Sequence, residues 1–275
     1  MTPGLALVTG AAGFLGSHLV ESLVEGGFAV RGLDDGSGGD VANLAAVRDR
    51  IEWLAADVCD PAALAAAVEG VEVVFHLAAR GEDRESLEDP VGTHVVNAEG
   101  TLAVLEAARA GGVRRVVNAS SWRVYGSRIE GLLDETRAPA PASPHAIQKL
   151  CGEVYCGLYH RLHALETVSL RYFPAFGPRQ LGGVREGAEA AGDLVFVDDA
   201  VRATRLAADA PAVVGSVVNV GGGRPQAEHP PARGADPARA RAWLGFEARI
   251  PFDEGLRWTA ERLADRPAVG APGAR

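Results

Sequence analysis

Thr9-Gly10-Ala11-Ala12-Gly13-Phe14-Leu15-Gly16 follows the apolar run Leu5-Ala6-Leu7-Val8 and leads into Ser17–Glu25, where apolar residues recur at helical spacing. Glycines so placed permit a tight turn, let the backbone approach a bound anion and allow a helix to lie close on a strand. A glycine triplet alone is weak evidence. Here it ends a strand, begins a helix and is followed by Asp34 at the end of the next apolar run, Ala29-Val30-Arg31-Gly32-Leu33.

The same alternation continues outward. Ile51–Leu54, Val71–Phe75, Arg115–Val117 and Thr167–Leu170 read as further strands, and Pro61–Val68 and Val95–Ala110 as helices. Strand and helix in alternation predict a doubly wound α/β fold: a parallel Rossmann sheet covered on both sides, joined by right-handed crossovers. After residue 173 the pattern loosens, and Gly177–Gly192 and Gly221–Pro237 read as loops. We expect a dinucleotide-binding domain over 1–172 with a returning strand at 217–220, a small, reduced C-terminal substrate lobe over 173–265 and a flexible tail over 266–275. Asp236–Leu244 and Asp253–Leu263 read as short closing helices.

Of the 275 residues, 47% are hydrophobic and 23% charged, ordinary for a globular protein. A net charge of -9 and dispersed arginines argue against nucleic acid. Cys59, Cys151 and Cys156 lack metal-ligand spacing, and we expect no metal. The first residues lack a signal-peptide pattern, and no apolar run reaches the roughly 18 to 20 residues that span a bilayer, so no membrane association and a cytoplasmic location are expected.

Asp34 decides the dinucleotide. A carboxylate there accepts bonds from both adenosine-ribose hydroxyls and repels a 2'-phosphate. Asp35 adds to the repulsion and no arginine follows at once, so NAD is expected. Asp57, after the third strand, reads either as a partner of the adenine amino group or as a helix cap shared with Asp60. Lys149 is the only lysine in the chain, in Ser143-Pro144-His145-Ala146-Ile147-Gln148-Lys149 downstream of Ala119-Ser120-Ser121. A compact ammonium on a flexible stem is not replaced by arginine's planar fork, which makes Lys149 a candidate site residue.

With these pieces in place the chain resembles the extended short-chain dehydrogenase/reductases, the NAD-dependent epimerase/dehydratase family. Further matching stretches are PheHisLeuAlaAla at 75–79, AsnAlaGluGlyThr at 97–101, AlaSerSerTrpArgValTyrGly at 119–126, ArgTyrPhe at 171–173, GlyProArgGln at 177–180, PheValAspAsp at 196–199 and AsnValGlyGlyGly at 219–223. The resemblance implies NAD-dependent hydride transfer at a carbinol or ketone carbon of a sugar or sugar nucleotide, of the epimerase or ketoreductase type. It implies a cofactor site drawn from Gly10, Ala12, Gly13, Phe14, Leu15, Gly16, Asp34, Asp35, Asp57, Val58, Leu77, Ala78, Ala79, Asn97, Lys149 and Tyr172. By position Ser121 would hold the substrate hydroxyl and Lys149 would grip the nicotinamide ribose. Helices near 97–110 and 145–163, with Ala103, Ala107 and Leu158, resemble those that pair in homodimers of the family; burial within one chain explains these residues equally well.

The chain departs from the family at one catalytic position. The family's tyrosine lies four residues before the lysine, and here that residue is His145. Histidine titrates near neutrality and is competent in acid/base chemistry, but it is shorter than a phenol. Either the substrate sits deeper, a water relays the proton, Tyr125 substitutes, or activity is lost and a cofactor-binding scaffold remains. Non-redox lyase or isomerase chemistry in a remodelled pocket is a third reading.

On the substrate side, Trp122 and Arg123 stand where 4,6-dehydratases carry an acidic pair. Pro174 replaces a sugar-contacting asparagine, and Gly192 replaces a diphosphate-binding arginine. Arg80, Arg123, Arg179 and Arg185 remain near the expected mouth. With Tyr125 and Pro174, Arg80, Arg123 and Arg179 form the expected substrate side. Trp122 reads as a pocket wall or core filler, His76 as structural, and Cys151 and Cys156 as helix packing.

Overall fold

The computed structural model describes residues 4–127, 131–180, 192–223 and 233–264. Strand β1 (Leu5–Thr9) turns through the glycine stretch into α1 (Phe14–Glu25) and returns as β2 (Ala29–Asp34). Next come β3 (Glu52–Ala55), α2 (Pro61–Ala67) and β4 (Val71–His76). Asp60 starts α2 by accepting the N–H groups of Ala62 and Ala63, with Pro61 in the first turn, where its missing N–H has no partner to lose.

A short α3 (Asp83–Glu88) precedes one long helical run, α4 (Pro90–His94), a π-helical turn Val95–Glu99 and α5 (Gly100–Ala110). This run begins earlier than the expected start at Val95, because Asp89 caps it and Pro90 opens it. Strand β5 (Arg115–Ser121), the short β6 (Gly131–Leu133), α6 (Pro144–His163) and β7 (Glu166–Tyr172) follow. The C-terminal part supplies β8 (Ala175–Phe176), β9 (Val195–Phe196), α7 (Val197–Ala207), β10 (Ser216–Val220), β11 (Arg233–Ala235) and α8 (Phe252–Ala264).

Seven strands form one parallel sheet in the order β10-β7-β5-β4-β1-β2-β3. Alternate side chains along each strand enter opposite layers. Ala6 and Val8, with Val73 and Phe75, pack under α1 and α7 with Leu19, Leu23 and Val201. Leu7 and Val74 join Leu64, Leu105 and Tyr159 on the opposite face. This double burial explains why the central strands are apolar throughout rather than alternating. Fully buried leucines such as Leu19 and Leu105 each contribute about 1.5–3 kcal/mol.

The expected returning strand is present as β10, paired with β7. The chain after 172 also contributes to the sheet layers, through β10 and through α7, whose Arg205 Nη1 donates to Ser22 O and Oγ of α1 at 3.2 and 2.9 Å. Beyond the seven-stranded sheet, the C-terminal part adds β11, which pairs with β6, the pair β8–β9, a π-helical turn Ala240–Leu244 and α8. The expected tail at 266–275 and Arg185 fall outside the described residues.

Two cues fix the start and end of α6. Ser143 caps its N-terminus through a bond from Ala146 N, with Pro144 following. At the other end Ala164 adopts a left-handed φ of 54°, and His160, Arg161 and His163 occupy the last turn, where cations favour the helix dipole.

Candidate active site

The strand order reverses between β1 and β4, so the crevice at their C-terminal ends is where a doubly wound sheet takes its ligand. One wall is the glycine turn. Gly10 has φ +69°, and a Cβ there would meet Ala78 N at 2.7 Å; at Gly16 it would meet Gly10 O at 1.9 Å. Gly13 caps α1 without a side-chain bond, and no acid occupies the first turn, which leaves N–H groups for an anion. Ala12 is buried behind this turn, Phe14 meets His18 edge-on, and Leu15 packs on the core.

Asp34 closes the crevice at the tip of β2, 7% exposed. Its oxygens accept Ala12 N at 2.9 Å and Gly36 N at 2.8 Å, which fixes the carboxylate while lone pairs remain for ribose hydroxyls. Asp35 accepts Ser37 N and Oγ in the next turn. Asp57 and Val58 line one side of the cleft, and Leu77, Ala78 and Ala79 line another. Of the two readings of Asp57, capping of α2 falls to Asp60, while Asp57 accepts Cys59 N at 2.8 Å. The donors, the small-residue cradle and the buried acid fit a dinucleotide with a free 2'-hydroxyl.

Residues 145, 149 and 153 lie one turn apart on the face of α6 turned to the sheet. Lys149 Nζ donates to Ala119 O of β5 at 3.0 Å, and burial pushes its pKa down to about 8. Ser121 ends β5, with its Oγ accepting Arg123 N at 3.2 Å. Ser120 points elsewhere and donates to buried Glu153, which holds Arg171 at 2.8 and 2.6 Å. Strand alternation thus assigns the two serines different tasks: Ser120 is structural, and Ser121 faces the turn at the strand end.

His145 is 6% exposed, and its ring Nδ1 is buried without a hydrogen-bond partner. Its backbone N–H donates to Ser86 Oγ of α3 at 3.1 Å. Burial first, then the Lys149 charge, push its pKa down to about 4, with Asp83 opposing and Arg123 assisting. The ring is therefore neutral near pH 7.

Several expected site residues have side-chain partners within the protein. Tyr125 is 2% exposed, its hydroxyl bound to Asn219 Oδ1 at 2.9 Å and its ring under Arg171, and burial raises its pKa. The Tyr172 hydroxyl pairs with Thr204 at 2.6 Å inside the core. Asn97 accepts Arg80 N through Oδ1 and donates from Nδ2 to Arg80 O and Gln148 Oε1, at 2.8, 2.9 and 2.8 Å, which clamps the segment after β4 to α6.

The arginines are likewise engaged. Arg80 pairs with Glu85 and Asp89, Arg123 with Asp83, and Arg179 with Glu21 of α1. Pro174 lends its carbonyl to Val195 N at 3.1 Å. Trp122 stacks on Phe173 as core, and His76 bridges Thr9 and Thr101.

Asp83, Ser86 and Ser143 join the site without a motif that marks them as site residues. Ser143-Pro144 is a readable helix start, whereas Asp83 and Ser86 sit in Glu82-Asp83-Arg84-Glu85-Ser86, which reads as an ordinary solvated face. Among the described residues no three His, Cys, Asp or Glu side chains form a metal-holding group, and no helix is long and apolar enough to cross a membrane.

The family model described as "NAD dependent epimerase/dehydratase family" matches residues 6–221. A UDP-glucose 4-epimerase of Mycolicibacterium smegmatis is 36% identical over 304 aligned positions, covering 93% of this chain and 97% of that protein. A dTDP-glucose 4,6-dehydratase of Streptomyces niveus is 29% identical, covering 97% and 94%. The solved UDP-glucose 4-epimerase of Thermotoga maritima with UDP-glucose superposes with a TM-score of 0.85 at 29% identity, covering 94% of this chain and 98% of that one. The Thermus thermophilus UDP-glucose 4-epimerase complex with NAD gives 0.83 at 29% identity, covering 95% and 99%. The chain belongs to the NAD-dependent epimerase/dehydratase family and is an enzyme whose cofactor is NAD.

Proposed function

We propose that the chain is a sugar-nucleotide epimerase of the UDP-hexose type, in which His145 handles the proton that a tyrosine handles elsewhere in the family. The observation that carries this reading is the Nδ1 atom of His145, buried, unpartnered and part of a ring kept neutral by burial and by Lys149. Leaving such an atom unpaired costs about 1–3 kcal/mol. A substrate hydroxyl would relieve that cost and give up its proton to the same atom.

When bound, NAD supplies reversible hydride acceptance at the carbinol carbon. The chain supplies the rest. Ser121 Oγ would orient the hydroxyl, Lys149 would hold the nicotinamide ribose, and its ammonium disfavours a second cation on His145.

Epimerisation is favoured over dehydration because elimination needs free acid/base carboxylates. Trp122 and Arg123 are not carboxylates, and Asp83, which neighbours His145, spends its oxygens on Ser143 and Arg123 at 2.7 and 2.5 Å. The relatives named for UDP-glucose epimerisation support the same substrate class.

A homodimer is part of the proposal. Ile147 and Val154, seven apart on the outer face of α6, are 54% and 61% exposed, with Val91 of α4 74% exposed. The free thiols of Cys59, Cys151 and Cys156 support a reducing, cytoplasmic setting.

The test incubates NAD-loaded protein with UDP-galactose and follows UDP-glucose by NMR. Wild-type protein should interconvert the two, and His145→Phe should stop turnover with NAD still bound. Unchanged turnover in His145→Phe would remove the histidine from the chemistry. Absence of UDP binding to the NAD-loaded protein would overturn the sugar-nucleotide reading.

A further inference from the structure

The groups that hold His145 come from outside its own helix. Asp83, the first residue of α3, accepts a hydrogen bond from Ser143 Oγ at 2.7 Å and pairs with Arg123 Nη1 at 2.5 Å. Ser143 is the cap of α6, two residues before His145. The Arg123 backbone N–H donates to Ser121 Oγ. Ser86, on the next turn of α3, accepts the His145 backbone N–H at 3.1 Å. One short helix is thus bonded to the strand end that carries Ser121 and to the helix start that carries His145. Two such bonds to one carboxylate, one of them to a guanidinium, are charge-assisted and directional.

We propose that Asp83 is a positioning residue that fixes the separation and orientation of Ser121 and His145 by bridging Arg123 and Ser143. The proposal rests on the reading of His145 as the acid/base group. Imidazole is shorter than the phenol it replaces, so the placement of its backbone has to make up the reach, and a misplacement of about 1 Å can cost on the order of 100-fold in rate. A dedicated clamp from α3 onto both partners answers that requirement.

The charges around the ring give the clamp a signature that packing alone would not produce. The charged groups facing His145 are Lys149 on α6, Arg123 after β5 and Asp83 on α3, and the Gly81 backbone also favours the protonated ring. Asp83 raises the affinity of the ring for a proton, and Arg123 lowers it. Removing one or the other must therefore move the titration in opposite directions. General loosening would instead carry both variants upward, toward an ordinary solvated histidine.

The experiment is a pH titration of the full-length, NAD-loaded protein with labelled histidine, read by NMR, for wild type, Asp83→Asn, Asp83→Glu and Arg123→Gln. We expect His145 to titrate lower in Asp83→Asn and higher in Arg123→Gln, each by on the order of 0.5 pH units or more, with Asp83→Glu close to wild type. With UDP-galactose as the probe, Asp83→Asn should lose on the order of 100-fold in kcat with KM retained. Shifts in the same direction for both variants, or no shift in either, would overturn the proposal, as would wild-type kcat in Asp83→Asn. If His145→Phe retains turnover, the acid/base reading fails. If His145→Phe is inactive while Asp83→Asn is unaltered, only the positioning role fails.

Discussion

Glu153 and Arg171 face each other across the α6–β7 interface with both side chains 4% exposed, joined by two hydrogen bonds of 2.8 and 2.6 Å. Ser120 adds a third bond to the same carboxylate, and the guanidinium lies over the Tyr125 ring at 4.7 Å. Removing the carboxylate alone strands a buried cation. Glu153→Ala should lower unfolding free energy by about 3–5 kcal/mol, measured by urea denaturation. A loss below about 1 kcal/mol, the range of exposed pairs, would show that the pair is effectively solvated.

Acid should destabilise the fold through three buried histidines. Burial pushes His18 and His145 down to about 4 and His76 to about 3, from an ordinary value of 6.5. The unfolded chain therefore binds more protons, and each histidine contributes stability that is fully present above pH 6.5 and lost as pH falls through 6.5 toward its folded value. The limiting slope is about 1.4 kcal/mol per pH unit for each histidine. Calorimetric unfolding between pH 7 and 4.5 should show a steep fall in Tm that His76→Asn makes shallower. An unchanged slope in that variant would mean that His76 is protonated in the folded protein.

Gly16 leaves no room for a side chain, since a Cβ would stand 1.9 Å from Gly10 O. Gly16→Ala must push α1 away from the glycine turn, at a cost of about 1–3 kcal/mol in stability. NAD affinity should fall as well, because the same shift moves the first-turn N–H groups. Calorimetric NAD titration would check this, and wild-type affinity would show that the turn is deformable.

Val154 projects from α6 with 61% of its surface exposed. Val154→Asp should leave the monomer fold intact and convert a dimer to monomer in light scattering after size exclusion. A wild-type protein that is already monomeric would refute the homodimer.

Much of the sheet was legible because its strands are buried on two faces and its helices on one, so periodicity alone separates them. Leu7 and Val8 belong to opposite cores, and an uninterrupted apolar run is the trace of that. The glycine turn and the acid beside it were legible at Gly10, Gly16 and Asp34, where backbone conformation or close approach restricts the residue. At Tyr172 and Asn97 the motif position says which backbone the residue stands on, while partners set by tertiary packing, Thr204 for one and Arg80 with Gln148 for the other, decide what the side chain touches. Asp83 was missed for the converse reason: in a run of charges, one acid that pairs inward with Arg123 and Ser143 looks like its solvated neighbours.

Lys149 is the only lysine of the chain, and it is bound to Ala119 O with its pKa pushed down to about 8. The protein therefore offers a single side-chain amine, and that amine is turned inward against β5 rather than out to solvent. At mildly alkaline pH a substantial fraction of it is the uncharged nucleophile. Acylating reagents that overwhelm most proteins at dozens of surface lysines would here have one side-chain target, which makes the extent of amine labelling a direct gauge of how far α6 opens from β5.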